Sequence, residues 1–408
     1  MGSDPLPPLP HFRIDARDGS ARAGVLALAH GEVRTPAFVP LASNASVRGL
    51  AAAEVEALGF EMVLGNTFHL FITPGPDRIR AMGGLHDFMG WRRPIITDSG
   101  GFQVFSMGHG SVADEVKRRR GQAESRVLSI EEEGVTFRSY SDGAERFMGP
   151  ETSMEVQAAL GSDIALAFDE CTPFHSDRVY TQRSMERTHR WLDRCVAWHA
   201  EHGPAEQALY GIVQGGVHPD LRAESATFVA GATPRGVAIG GSLGREKEQM
   251  REVIGWSLAP IAEASPRHLL GIGDVDDILH AVAAGVDTFD CATPTRLGRH
   301  GTALVADPER RFRLDLTKAQ HRDSREPISE NCPCPVCREH TRGYLHYLTR
   351  AKELTGARLV TLHNLTFMAE LMRGIREAVT AGNYTAYRDR VMAGAGRPAD
   401  QGGLQTLR

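Results

Sequence analysis

The chain has 408 residues, 46 Lys+Arg against 51 Asp+Glu, a net charge of −5 and 41% hydrophobic residues, enough for one large barrel or sheet domain plus an appendage, or for two to three ordinary domains. No run approaches the roughly 18 consecutive apolar residues of a membrane span, and the opening Met1-Gly2-Ser3-Asp4-Pro5 lacks the basic and apolar regions of a signal peptide, so a cytoplasmic protein with no membrane contact is expected. The acidic balance excludes a uniformly basic nucleic-acid coat but not a local basic patch, and six cysteines in a reducing compartment point to metal binding or chemistry rather than a disulfide framework.

In chain order, residues 11–30 read as a β-hairpin turning at Asp18-Gly19 and able to plug one end of a barrel. From about residue 34 a theme repeats: a short apolar run, ended by polar residues or glycine, then a helix-like segment. The runs are TPAFVPLAS (35–43), EMVLGNTF (61–68), PIITDSGG (94–101), DIALAFDEC (163–171), ALYGIVQGG (208–216), GVAIGG (236–241), HLLGIGD (268–274) and VDTFDCATP (287–295). Continuous apolar runs suit strands buried on both faces, as in parallel sheets covered by helices. Between them, Met185, Thr188, Leu192, Cys195 and His199 share one helix face before Gly203, and Pro150 and Gly161 bracket another helix. Eight such units predict an α/β fold of the (β/α)8 TIM-barrel type. A doubly wound open sheet is the alternative, weakened by the absence of a Gly-rich dinucleotide or P-loop motif.

Besides the hairpin, two stretches break the repeat. Residues 102–148 are too long for a plain βα loop and carry Lys117-Arg118-Arg119-Arg120, which reads as an inserted loop with some β-structure. Residues 301–363 form a C-terminal insertion in a barrel domain spanning 11–390, and the last clear helix is expected to start near His363, with Leu365, Met368, Met372 and Ile375 on one face. Residues 1–10 and 394–408 read as loose termini.

Chemistry is expected where polar residues end the strands. Asn66, Asp98, Asp169, Gln214, Gly240-Gly241 and Asp290 each fall at a predicted carboxyl end, and in a barrel those ends converge on one mouth. Asp commonly caps helices, so each taken alone could be a cap. For the set that alternative is weak, because Ser99-Gly100-Gly101 and Cys291-Ala292-Thr293-Pro294 do not read as helix starts. Cys195 reads as core; Cys171 and Cys291, beside mouth carboxylates, could line the site or merely pack.

Cys332-Pro333-Cys334-Pro335-Val336-Cys337, followed 26 positions later by His363, supplies the S3N donor set of a closed structural zinc site, one Zn2+ per chain with no open position for a reacting water. Residues 292–350 hold eleven Lys+Arg against seven acids, a surplus of four beside the last mouth carboxylate. Charge alone fits a solvated face; beside a mouth it also suits an enzyme that positions a polyanion by its phosphates.

Together TDSGGFQVFS (97–106), FDECTP (168–173), GIVQGG (211–216), AIGG (238–241), FDCATPTRLGRHG (289–301), CPCPVC (332–337) and HNL (363–365) resemble the bacterial tRNA-guanine transglycosylases, the queuine tRNA-ribosyltransferase family, from about residue 11 to residue 390. The resemblance implies a zinc-containing TIM barrel that removes guanine from the wobble position of tRNAs with a G-U-N anticodon and inserts a 7-deazaguanine, acting as a homodimer. It makes Asp290 the nucleophile on the wobble ribose and Asp98 the general acid/base. Asp169, Gln214 and the Gly241 amide would read the base edge, Phe102 and Leu270 would stack on its faces, and Arg296 and Arg299 would hold the anticodon loop. A carboxylate that traps an oxocarbenium-like centre covalently, as in retaining glycosidases, gives net retention after two displacements.

The chain departs from the family's GGLAVGE in reading Gly240-Gly241-Ser242-Leu243-Gly244-Arg245-Glu246. Gly244 stands where bacterial members place Val, as in the eukaryotic queuine enzymes, whereas Cys171 is of the bacterial type and Asp274 replaces a common basic residue. An open position at Gly244 with a hydroxyl at Ser242 would admit a substituent as large as that of queuine beside 7-aminomethyl-7-deazaguanine, leaving the incoming base open. A retaining glycoside hydrolase and a non-catalytic tRNA-binding accessory subunit remain the competing readings; the cysteine cluster and arginines weigh against the first, and the presence of both Asp98 and Asp290 against the second.

Overall fold

A computed structural model describes residues 9–109, 126–172 and 175–394. Eight parallel strands close a barrel: Ala37–Ala42, Val63–Gly65, Ile95–Thr97, Ile164–Leu166, Ala208–Val213, Val237–Ile239, Arg267–Leu269 and Thr288–Cys291. Each lies inside one of the apolar runs, and the last pairs with the first, Asp290 opposite Val39, to complete the ring. The interior packs Val39, Leu64, Ile96, Leu166, Tyr210, Ile212 and Ala238. Alternate residues such as Phe38, Val63, Ile95, Val213 and Phe289 face the helices, as the period of two in a strand requires.

The hairpin forms as expected, His11–Asp18 with Ala21–Leu28, turning through Gly19-Ser20, and a third antiparallel strand, Gly31–Thr35, extends it. Its Leu26, Leu28 and Val33 join the interior cluster and plug the amino-terminal end of the barrel. Two buried polar anchors hold it. Arg22 donates to both oxygens of Asp287 at 2.7 and 2.5 Å, with both side chains buried. Asp163 accepts from the backbone N–H groups of His30 and Ile95 at 2.9 and 2.8 Å, while the rings of His30 and His86, stacked at 3.6 Å, place Nδ1 and Nε2 at 2.9 and 3.2 Å from its oxygens.

Three expectations change. Helices do follow the two motifs that did not read as helix starts: Gly101–His109 after Ser99-Gly100 and Thr293–Arg299 after Asp290. Glycine at Gly101 is demanded by space, since a Cβ there would lie 2.3 Å from the Asp169 carbonyl oxygen, so its low helix propensity is overridden by packing. The insertion is thus part helix; its β-structure is a three-stranded antiparallel sheet, Val127–Ile130, Val135–Arg138 and Glu145–Met148, and Lys117 to Arg120 lie outside the described residues. The long C-terminal helix starts nine residues earlier than expected and runs Leu354–Thr380, with Tyr384–Met392 after it. His363 therefore sits well inside the helix, where it is buried. Among the described residues no helix is long and apolar enough to cross a membrane.

Burial alone would raise the Asp163 carboxyl, but the His86 imidazole beside it and the hydrogen bonds from the Ile95 N–H and His30 outweigh it and hold the carboxyl below the usual carboxylate range. Its stabilising contribution is complete above the unfolded-state value and lost as pH falls through the depressed native one. Asp163→Ala, which leaves buried N–H groups unpaired, is expected to cost about 3 kcal/mol in urea unfolding at pH 7, and the gap to wild type is expected to narrow below about pH 4.

Candidate active site and metal cluster

The strand ends gather the expected residues at one rim. Asn66, Asp98, Gln214 and Gly240 each follow the last residue of a barrel strand, Asp169 lies three residues beyond its strand, and Asp290 is within the last one. Asn66 is a true helix cap, its Oδ1 accepting from the His69 N–H at 2.9 Å. Its Nδ2 also donates to Asp98 at 2.5 Å, so the cap doubles as a brace. Neither Asp98 nor Asp290 caps a helix: the short helix after Asp290 begins from Ala292 with no side-chain cap.

Asp98 accepts from the Thr67 N–H at 2.8 Å and from Gln103 Nε2 at 3.0 Å. Burial pushes its carboxyl up to about 7; the Thr67 and Gln103 hydrogen bonds oppose the rise and the charge of Asp290 adds to it. That places an acid able to give and take a proton near neutrality beside a second carboxylate. Asp169 is fixed by Ser99 Oγ at 2.6 Å and Gln214 Nε2 at 2.7 Å, and burial lifts it to about 6 against those two hydrogen bonds. Behind it, Glu170 accepts from Tyr180 at 2.6 Å and Arg187 at 2.7 Å, which locks the turn that carries both acids.

Among the described residues, buried Gln214 Oε1 has no hydrogen-bond partner. It faces Gly241, whose φ is +73° and whose Cβ, if present, would lie 2.2 Å from it. A buried acceptor without a donor is costly, and a ligand N–H at this point would satisfy it. Phe102, 45% exposed, stands at the rim, and Leu270 packs on the barrel interior.

Sequence reasoning missed the side chain that ties these loops together. Arg222 is fully buried and donates to the carbonyl oxygens of Gly216 (2.7 Å), Val213 (3.1 Å), Gly240 (2.9 Å) and Ser242 (2.8 Å). It bolts the Gln214 loop to the Gly241 loop; burial lowers its pKa to about 9, still charged at neutral pH. Its position inside the helix Pro219–Ala232 carries no sequence signal for this role.

The reason given for Gly244 changes. Its φ is +104°, and a Cβ there would lie 2.7 to 3.1 Å from Gln249. Glycine is set by backbone conformation and by the neighbouring helix, so its missing side chain does not open space for a base, and Gly244→Val would strain the loop. Ser242 engages Arg222 through its carbonyl oxygen. Asp274 pairs with Arg313 at 2.8 Å, tying the barrel rim to the C-terminal segment. Cys195 packs in the core, pushed up to about 12 by burial. Cys291 packs against Gly273 and Thr293.

Part of the basic surplus is neutralised: Arg310, Arg313, Lys318 and Arg342 sit in ion pairs. Arg296 and Arg299 do not, among the described residues. The pKa of Arg299 is lowered by burial and then by the charges of Arg48 and Arg296, so three arginines crowd together beside the mouth, a concentration of positive field that an anion would relieve.

Cys332, Cys334, Cys337 and His363 bring four donor atoms together that could hold one metal ion. The sulfurs lie 3.6, 3.5 and 3.3 Å from His363 Nδ1. His363 Nε2 donates to the Leu304 carbonyl at 2.8 Å, which leaves the Nδ1 lone pair for the ion.

The family model described as Queuine tRNA-ribosyltransferase matches residues 17–397. Relatives named Queuine tRNA-ribosyltransferase include one from Roseiflexus sp., 48% identical over 390 residues, covering 92% of this chain and 98% of its own length. Another, from Herpetosiphon aurantiacus, is 44% identical over 379 residues, covering 93% and 91%. A third, from Sphingopyxis alaskensis, is 44% identical over 380 residues, covering 92% and 96%. The matched span takes in the barrel, the mouth and the cysteine cluster, and the chain belongs to the queuine tRNA-ribosyltransferase family.

Proposed function

We propose that this chain exchanges guanine at the wobble position of G-U-N anticodon tRNAs for a 7-deazaguanine, by double displacement through a ribosyl ester on Asp290. The observation that carries the reading is the pairing of Asp290 with Asp98, one carboxylate at the last strand end and one held near neutrality by burial. In the first displacement an oxygen of Asp290 bonds to C1′ as the C1′–N9 bond breaks, and the bonding pair leaves with guanine, which takes a proton from Asp98. In the second, the incoming base returns a proton to Asp98 as its N9 bonds to C1′ and the ester opens. Asp169, Gln214 and the Gly241 amide hold the base edge, with Phe102 and Leu270 on its faces. The unpartnered Gln214 Oε1 supports that role. Arg296, Arg299 and Arg48 meet the anticodon-loop phosphates outside the mouth. The incoming base is 7-aminomethyl-7-deazaguanine or queuine, which mass spectrometry of wobble nucleosides decides.

The Cys3His cluster is a structural zinc site in this reading. Tetrahedral zinc with three thiolates and one imidazole needs S···N separations of about 3.6 Å, close to those of the cluster, and four protein ligands leave no position for substrate. The cross-link holds the segment that carries the arginines. A homodimer is supported by exposed Tyr347, Tyr344 and Leu354, at 63, 44 and 85%, and the working compartment is the cytoplasm.

Radiolabelled guanine exchange on tRNA is the direct test. Asp290→Asn is expected to abolish exchange with tRNA affinity nearly unchanged; exchange at the wild-type rate would exclude Asp290 as nucleophile. The pH profile of kcat/KM is expected to break near 7, where Asp98 changes charge, and Asp98→Asn to remove that break along with about a hundredfold or more of the rate. Metal analysis is expected to find one zinc per chain. Chelation is then expected to raise hydrogen exchange across 301–363 and the helix Thr293–Arg299 before the barrel.

A further inference from the structure

The inward positions of the barrel strands are apolar until the last two. Alternation from Leu270, which packs on the interior, and Leu269, which faces the helices, turns His268 inward. The same parity turns Thr288 and Asp290 inward, since Phe289 faces out. His268 is completely buried, and an imidazole there requires partners for both nitrogens. Its Nδ1 lies 2.9 Å from Thr288 Oγ1 and its Nε2 3.2 Å from Asp290 Oδ1. The Gly271 N–H donates to the same Oδ1 at 3.2 Å. Among the described residues no hydrogen bond reaches Asp290 Oδ2.

We infer that His268 is a positioning residue for Asp290: together with the Gly271 amide it anchors Oδ1 and so selects Oδ2 as the oxygen that bonds to the ribose. The inference rests on the reading of Asp290 as nucleophile. The tautomer follows from the neighbours. An ionised carboxylate only accepts, so Nε2 carries the proton, and Nδ1 accepts from the Thr288 hydroxyl.

The two donors act on chemistry as well as geometry. When Oδ2 bonds to C1′ and the C1′–N9 pair leaves with guanine, Oδ1 becomes the carbonyl oxygen of the ester. When the incoming N9 bonds to C1′, the C1′–Oδ2 pair returns to the carboxylate, and Oδ1 regains its share of negative charge. The donors on Oδ1 are stronger partners for that charge than for an ester carbonyl, so they make Asp290 the better leaving group in the second displacement. Loss of the imidazole is therefore expected to slow ester breakdown with little effect on substrate affinity.

The experiment isolates the ribosyl-enzyme adduct on G-U-N anticodon stem-loop RNA and follows its breakdown on adding guanine. His268→Leu is expected to slow breakdown roughly ten- to hundredfold, the weight of one hydrogen bond to a charged group, with the Kd for RNA, and the guanine concentration that half-saturates breakdown, within about twofold of wild type. Glutamine carries its amide nitrogen about as far from Cα as imidazole Nε2, so His268→Gln is expected to recover most of the rate. Asparagine reaches only as far as Nδ1, so His268→Asn is expected to behave like leucine. Wild-type breakdown in a His268→Leu protein with an unchanged urea midpoint would overturn the inference. So would a glutamine variant no faster than the asparagine one, a comparison that still decides the matter if the leucine variant does not fold. Asp290→Asn in the same assay separates the two levels: exchange surviving there defeats the nucleophile itself, whereas a dead Asp290→Asn beside an unaffected His268→Leu defeats this inference alone.

Discussion

The pairing of the first strand with the last is the constraint on which the site depends. Closure of Ala37–Ala42 against Thr288–Cys291 brings Asp290, near the end of the chain's repeat, round to the rim where Asp98 stands, although 192 positions separate them in sequence. A parallel barrel has no other way to bring distant strand ends to one mouth. The hairpin plug serves that closure from the opposite end. Arg22 and Asp287 tie it to the residue that precedes the last strand, and Asp163 ties it to the fourth strand, so the two polar anchors hold the amino-terminal floor while Asp98, Asp169 and Asp290 gather at the carboxyl-terminal rim.

At the rim, acids are held where ionisation is unfavourable. Asp98 and Asp169 are raised chiefly by burial and restrained by hydrogen bonds from Thr67, Gln103, Ser99 and Gln214. The opposition between desolvation and hydrogen bonding is the tuning device: without donors both acids would be neutral, and in open water both would be ionised. Arg222 braces the neighbouring loops without adding an acid to the rim, because its guanidinium is satisfied by four backbone carbonyl groups instead of a carboxylate.

The barrel was legible because its strands are buried on both faces, and that condition is local: each apolar run stands out against its own flanks. The mouth residues and the cysteine cluster were legible because their identities are rare in such positions. What escaped the sequence depends on contacts made at a distance. Gly101 opens a helix because the Asp169 backbone approaches it, Gly244 is glycine because Gln249 fills the space beside a positive φ, and Arg222 braces carbonyl groups that are nameless in sequence. The start of the long helix was missed for the opposite reason: its first turns carry Gly356 and Thr355, poor helix formers, and are held by packing against the helix Arg342–Ala351.

The position of His363 inside that long helix gives the Cys3His cluster its reach. Its neighbour Asn364 accepts from the Leu304 N–H at 2.7 Å and donates to the carbonyl oxygens of Pro294 and Thr302 at 2.9 and 3.0 Å. Pro294 belongs to the helix that bears Arg296 and Arg299, and Gly298 of that helix lies so close that a Cβ would come within 2.7 Å of the Thr361 backbone. Three cysteines, one imidazole, one turn of helix and one amide side chain therefore form a continuous rigid path from the cluster to the arginines. The cluster therefore bears on the rim through this path, by fixing where Arg296 and Arg299 stand relative to Asp290, which is four residues before Pro294 in the same strand-to-helix connection.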